Sequence, residues 1–454
     1  MTADSTWLHK GGTPSPDLPT ITDAYDEFLV TASGTELIDA ISGSHAVNLG
    51  HSVPGMAEVV TEQLDQVSLI DTGGFTHTPG EQLADKLAEM TPGDLNTVFF
   101  ANSGSEANEA AFKLARAAAA PPRKHLIVGR WQSYHGATLG ALSASGRSMY
   151  RQRFRPLLKD WPHIEQAYPY RWRFSGSPEE QGIAAARELE TTIRREGPEN
   201  VAAFVAEPIG GSSLPAAHPH PAYYREIRRI CTEHDVQFVA DEILVGFGRT
   251  GTLFASEHFD VVPDMMTISK GLTNGYSPMS AVMIRDGIAA GFTDDVGKRF
   301  NHGHAFGGNP LSAAVASHVV DQYTDSLLRQ CRKRGDKLAA ALDPLRSHPN
   351  VGDIRYKGLL LGIELVADRS EKRPFAPDCN VAHLIAREAL DRGVCIAPST
   401  GTVDGIAGDQ VMVSPPLIVS EDAISEIAAA LVDSIETVTD GLSDERRNVF
   451  DGTL

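Results

Sequence analysis

Cysteine is scarce in this sequence. The four present, Cys231, Cys331, Cys379 and Cys395, form no CxxC pair and no closely spaced framework. A disulfide scaffold is therefore excluded, and buried free thiols in a reducing cytoplasm are expected. Lysine is scarce too, at 11 of 40 basic residues, and acids outnumber bases by 59 to 40 for a formal net charge of −19. That sign excludes a nucleic-acid sleeve or a patch for anionic lipid. No apolar run reaches the roughly 18 residues of a membrane span. Met1–Lys10 lacks the apolar core of a signal peptide. Proportions of 42% hydrophobic and 22% charged residues exclude a disordered or collagen-like chain.

What is present is length and alternation. A chain of 454 residues allows one to three domains at roughly 150 residues each. Gly11–Thr22, with three prolines, reads as an extended arm. Beyond it, short β-rich runs alternate with helical patterns. Strands are expected at Asn96–Ala101, His125–Arg130, Val201–Ala206, Val236–Asp241, Met265–Ser269 and Met279–Ile284. The run Val201–Ala206 is apolar throughout, as a strand buried on both faces should be. Helices are expected at Ser105–Ala119, Pro221–Glu233 and Asp325–Leu345. This order predicts an α/β domain with a mostly parallel sheet over residues 72–325. Three further strands (Tyr356–Val366, Gly393–Ala397, Gln410–Val413) and a helix capped by Ser420 predict a smaller α+β domain over 326–454, completed by residues 1–71.

Three strand ends carry candidate chemistry. Asn102-Ser103-Gly104-Ser105 lies between a strand and a helix, where glycine and the free N–H groups of the first turn can hold a phosphate or simply cap the helix. Asp241-Glu242 sits at the carboxyl end of an apolar strand, placed to pair with a ring nitrogen, to hold a metal or to face solvent. Lys270 follows the next strand, either as a nucleophilic amine or as a solvated side chain. The run Gly246-Phe-Gly248-Arg-Thr-Gly251 matches a dinucleotide fingerprint, yet Thr252-Leu-Phe-Ala-Ser is a poor helix start, so no nicotinamide site is expected. His218-Pro-His220 and His302-Gly-His304 have no Cys or acid at ligand spacing, so no metal is expected.

In order along the chain stand Val47-Asn-Leu-Gly-His51, Asn102-Ser-Gly-Ser-Glu-Ala-Asn108, Tyr134-His135-Gly136, Glu207-Pro208, Asp241 through Gly251, Ser269-Lys-Gly271, Gly307-Gly-Asn-Pro310, and Gly408-Asp409 with Ser414-Pro-Pro-Leu417. This series resembles the class III (omega) aminotransferases, fold-type I enzymes that use pyridoxal 5'-phosphate (PLP). The resemblance implies a large, mostly parallel seven-stranded sheet domain with a smaller α+β domain. It implies that Lys270 binds PLP as a Schiff base and shuttles the proton, and that Asp241 pairs with the ring nitrogen. Tyr134 and Ile243 would pack on opposite faces of the ring, with His135 and Glu207 nearby. Gly104 and Ser105 would bind the phosphate. Ala305 and Phe306 would reach the phosphate of a neighbouring subunit by backbone N–H groups, since relatives usually carry threonine at the position of Ala305.

The activity so implied moves an amino group from a primary amine or omega-amino acid to a keto acid, with pyruvate the expected acceptor, by a ping-pong cycle through pyridoxamine phosphate. Decarboxylating transamination, epimerisation and aminomutase chemistry would use the same Lys270 and Asp241 and stay open. A cytoplasmic homodimer, or dimer of dimers, with shared sites is implied. Gly405-Ile-Ala407 lacks the arginine with which many relatives grip a substrate carboxylate, although another arginine could substitute. His45 and Gly73-Gly74 stand where some relatives have aromatics, which predicts an enlarged substrate pocket.

Overall fold

The computed structural model describes residues 18–119, 124–295 and 297–442. Met1–Lys10 and the first seven residues of the expected arm lie outside them. The arm is shorter than expected at its other end, because Ile21–Tyr25 already forms a strand of an N-terminal sheet with Phe28–Thr31 and Glu36–Asp39.

A seven-stranded sheet dominates. Its order is Thr97–Ala101, Ser280–Ile284, Met265–Ile268, Gln237–Asp241, Val201–Ala206, Leu126–Arg130 and His163–Ile164. Ser280–Ile284 alone runs against its neighbours. The other contacts, from Met265–Ile268 across to His163–Ile164, are parallel. Alternate residues of one strand feed two different cores. Phe204 and Ala206 join Phe238, Ile227 and Tyr224 on one face. Ala203 and Val205 join Ala107, Ala111, Leu114 and Val239 on the other. All six residues of Val201–Ala206 are buried, so each position is held apolar by one layer of helices or the other.

The C-terminal strands differ from expectation. Tyr356–Val366 is not one strand but part of a hairpin, Val351–Lys357 and Leu360–Leu365, paired antiparallel. Gly358 turns it at φ +55°, and a Cβ there would lie 2.4 Å from the carbonyl carbon of Thr250. Gly393–Ala397 also divides. Val394–Cys395 pairs parallel with Glu36–Asp39, whereas Ala397–Thr400 pairs with Asp409–Val413. The helix expected to Leu345 stops at Ala341, and a 3₁₀ turn containing Pro344 takes over. Ser420 accepts from Ala423 N (3.2 Å) and caps Glu421–Asp440 as expected. Among the described residues no helix is long and apolar enough to cross a membrane.

Candidate active site

The carboxyl ends of five strands deliver the candidate residues to one edge of the large sheet, the edge at which open α/β sheets bind ligands. Thr97–Ala101 leads to Gly104 and Ser105, Leu126–Arg130 to Tyr134 and His135, and Val201–Ala206 to Glu207. Gln237–Asp241 ends in Asp241, with Ile243 just beyond, and Met265–Ile268 precedes Lys270. These eight residues line one cavity of about 770 Å³, together with His45, Arg147, Tyr150 and Ser399 among others.

One end of the cavity is a helix N-terminus. Ser103 caps Gly104–Ala118, accepting from Glu106 N at 3.3 Å, while Glu106 Oε2 accepts from Asn102 N at 2.8 Å. The N–H groups of the first turn have no intrahelical acceptors and concentrate partial positive charge. Two glycines keep this end open. A Cβ on Gly104 would lie 2.8 Å from Ile243 Cδ1, and one on Gly136 (φ +136°) 2.4 Å from Ser105 Oγ. Ser105 Oγ accepts from Ala137 N at 3.0 Å, tying the tyrosine loop to the helix.

Asp241 is 3% exposed, and its carboxylate is positioned by three donors. Asn108 Nδ2 (2.9 Å) and His135 Nδ1 (2.7 Å) meet Oδ2, while Ile243 N meets Oδ1 at 3.1 Å. Asn108 is itself held by His135 O (2.7 Å) and by the Thr267 hydroxyl (3.1 Å). Asn108 closes the Asn102–Asn108 motif, where the sequence alone assigns it no role. The signal was available, since an asparagine on the Ala107–Ala110–Ala111–Leu114 face has to be satisfied inside the protein.

Glu242 departs from Asp241 altogether. It lies outside the cavity lining, fully buried, accepting from Ser256 N (2.7 Å) and Ala255 N (2.9 Å). Burial pushes its carboxyl up to about 7, with the two N–H groups pulling the other way. The folded value thus exceeds the unfolded one of about 4.3. The native state then binds more protons than the unfolded state between these values, and stability falls as pH rises through that window. Glu242→Gln cannot titrate. In denaturant unfolding at pH 4.5 and 7.5, the wild type is expected to lose up to about 3 kcal/mol relative to this variant. A pH-independent difference would refute the raised carboxyl.

Glu207 accepts from Gly211 N at 3.0 Å and Tyr134 N at 3.3 Å. Burial raises its pKa, and nearby Asp241 adds to the rise while His135 and Arg130 oppose it. Lys270 begins a short 3₁₀ turn at φ +48°. A non-glycine residue in that region costs about 1–3 kcal/mol, a strain that gathers at functional sites.

Ala305 and Phe306 are not in this cavity. They lie exposed on the turn before the helix Pro310–Val320, with Phe306 62% exposed. Gly73 and Gly74 are also exposed, in a turn closed by Gly74 N on Asp71 O (3.1 Å). His77 Nε2 meets Gly308 O at 2.6 Å, which joins these two segments on one surface. The Gly246–Gly251 run forms turns rather than a phosphate loop, and only a 3₁₀ turn, Ala255–Phe259, follows it.

The donor set suits PLP. It offers N–H groups and a hydroxyl for a phosphate, a buried carboxylate for a pyridinium nitrogen, an amine for an aldehyde, and Tyr134 and Ile243 as apolar walls. The model of the class III aminotransferase family matches residues 14–435. An uncharacterized aminotransferase of Bacillus subtilis, YodT, is 39% identical over 430 residues, which cover 93% of this chain and 96% of that protein. A putrescine–pyruvate aminotransferase of Pseudomonas aeruginosa is 33% identical over 420 residues, 90% of this chain and 88% of its own. The crystal structure of the omega transaminase of Pseudomonas jessenii in complex with PMP superposes with a TM-score of 0.85 at 30% identity, covering 93% of each chain. The chain belongs to the class III aminotransferases and is a PLP-dependent transaminase of fold type I.

Proposed function

We propose that the protein transfers the amino group of a primary amine or omega-amino acid to a keto acid, pyruvate being the expected acceptor, in two half-reactions that alternate on one site. The observation that carries this reading is the meeting of Lys270 and Asp241, from neighbouring parallel strands, in a cavity that ends on a helix N-terminus. The putrescine–pyruvate relative supports the choice of acceptor.

Bound PLP supplies an electron sink for the carbanion left when a proton leaves the substrate carbon. Lys270 Nζ would hold the aldehyde carbon between turnovers and carry the proton during them, because its released amine would stay beside the reacting carbon. Asp241 would pair with the ring nitrogen, where its charge would favour the protonated ring. Asn108 and His135 fix that carboxylate in place. Gly104 and Ser105 bind the phosphate at the helix N-terminus. Tyr134 and Ile243 confine the ring, and His45 borders the substrate space.

The assembly we propose is a homodimer, or a pair of them, in the cytoplasm. Phe75 (72% exposed) and Phe306 lie on the two segments that His77 joins, and such apolar exposure suits a second copy. There the backbone of Ala305 and Phe306 would reach the phosphate bound by a second copy. The deciding experiment is a panel of amines and keto acids with quantified carbonyl and amine products. Stoichiometric carbonyl release is expected. Racemised or rearranged amino acid without it would replace this reading with epimerase or aminomutase chemistry, and carbon dioxide release with the decarboxylating one.

A further inference from the structure

Arg147 lines the cavity and has no anionic partner among the described residues. Its Nε is buried without a hydrogen-bond acceptor. Among the described residues no carboxylate lies within ion-pair distance of its guanidinium. The contact it does make is with an aromatic face, its Cζ standing 4.5 Å from the ring centroid of Tyr150. The acids of the cavity are engaged elsewhere, Asp241 by Asn108, His135 and Ile243, and Glu207 by two backbone N–H groups. A part-buried guanidinium without a counter-charge is costly to keep.

The backbone beneath it is held firmly. Gly146 N donates to Ser133 O (3.1 Å) and Gln132 N to Gly146 O (3.2 Å). A Cβ on Gly146 would lie 2.1 Å from Arg130 O. Arg147 is therefore anchored to the segment that presents Tyr134, whose ring meets Tyr150 edge-on at 5.8 Å. Its chain neighbour Ser148 closes on the turn at Gly405, the segment that carries no arginine of its own.

We propose that Arg147 is the carboxylate-binding residue of the substrate site, pairing its planar fork with the carboxylate of the keto acid acceptor and of any amino-acid donor. The inference rests on the transaminase reading and assigns the specificity for acids to a loop between two helices of the large-sheet layer.

The test compares wild-type and Arg147→Met holoenzymes with one amine donor and two acceptors, pyruvate and propanal, which has the same carbon count and no carboxylate. Loss of a charge-assisted pair is expected to raise KM for pyruvate roughly ten- to hundredfold. KM for propanal is expected to stay within about twofold. Arg147→Lys, which keeps the charge and loses the fork, should fall between. Equal losses on both acceptors, or none on either, would overturn the assignment. A second readout needs no turnover. Propionate titrated into each holoenzyme should perturb the cofactor band at lower concentration in the wild type than in Arg147→Met, and identical titrations would refute the pairing. If the wild type aminates neither acceptor, the proposed choice of acceptor fails, and the propionate titration still decides the role of Arg147.

Discussion

Lys270→Ala is expected to fold, to keep PLP through the phosphate and ring contacts, and to lose turnover by roughly 10³–10⁴-fold or more. The fold should survive because the alanine inherits the same left-handed backbone, φ +48°, and leaves the buried strand Met265–Ile268 intact. The loss has two sources. On the proposed roles, the variant lacks both the amine that would hold the cofactor and the base that would move the proton between substrate carbon and cofactor. An amine fixed beside the reacting carbon acts with an effective concentration that solution cannot match, about 10⁵ M or higher in well-oriented systems. Methylamine at high concentration should accordingly restore a small part of the rate. Borohydride reduction of the wild type should place the cofactor mass on the peptide containing residue 270, and on no peptide of the variant. Label on another lysine, or near-normal turnover in Lys270→Ala, would remove the basis of the proposed mechanism.

Much of the placement behind this expectation is legible in the sequence. Strands covered on both faces must be apolar at every position, so Val201–Ala206 stands out and residues just past such strands fall on the ligand edge. Asp241 and Lys270 are found by that rule, Gly104 by its place between a strand and a helix, and Glu207 only through the family resemblance. What could not be read depends on contacts between distant segments. Nothing local separates Asp241 from Glu242, because period-2 alternation sends one to the cavity and the other beneath Ala255 and Ser256. Arg147 precedes, and Tyr150 lies in, a helix of only four residues, Ser148–Arg151, too short to show a period. The hairpin at Gly358 is hidden because the apolar second arm, Leu360–Leu365, follows Tyr356-Lys357 after a turn of only two residues, Gly358-Leu359. Ala305 and Phe306 lie outside the cavity of their own chain, where pattern within one sequence gives no information.

Arg249 offers the largest expected effect on stability. It lies inside the run that mimics a dinucleotide loop, and it is 0% exposed. Its guanidinium donates to Leu359 O (3.1 Å), Ser42 Oγ (3.1 Å), Asn48 Oδ1 (2.7 Å) and Pro415 O. No carboxylate among the described residues pairs with it. Burial pulls its pKa down to about 10, still far enough above neutrality to keep the charge. One side chain thus joins the N-terminal segment 42–48, the turn of the Val351–Lys357 hairpin and the Ser414–Pro415 loop. Ser42 Oγ continues the link to Ser414 O at 2.6 Å, and Ser414 Oγ meets His45 Nδ1 at 2.8 Å on the cavity wall. Arg249→Ala leaves buried acceptors without donors and opens a void, and is expected to cost about 3–5 kcal/mol in denaturant unfolding. Arg249→Met restores most of the volume and buries no charge, so it separates the two contributions. If the hydrogen bonds matter beyond packing, Met should recover only part of the loss, and KM for the amine should rise as the His45 wall loosens. A methionine variant as stable as the wild type, with unchanged KM, would show that these four acceptors do not depend on the arginine and that the three segments dock without it.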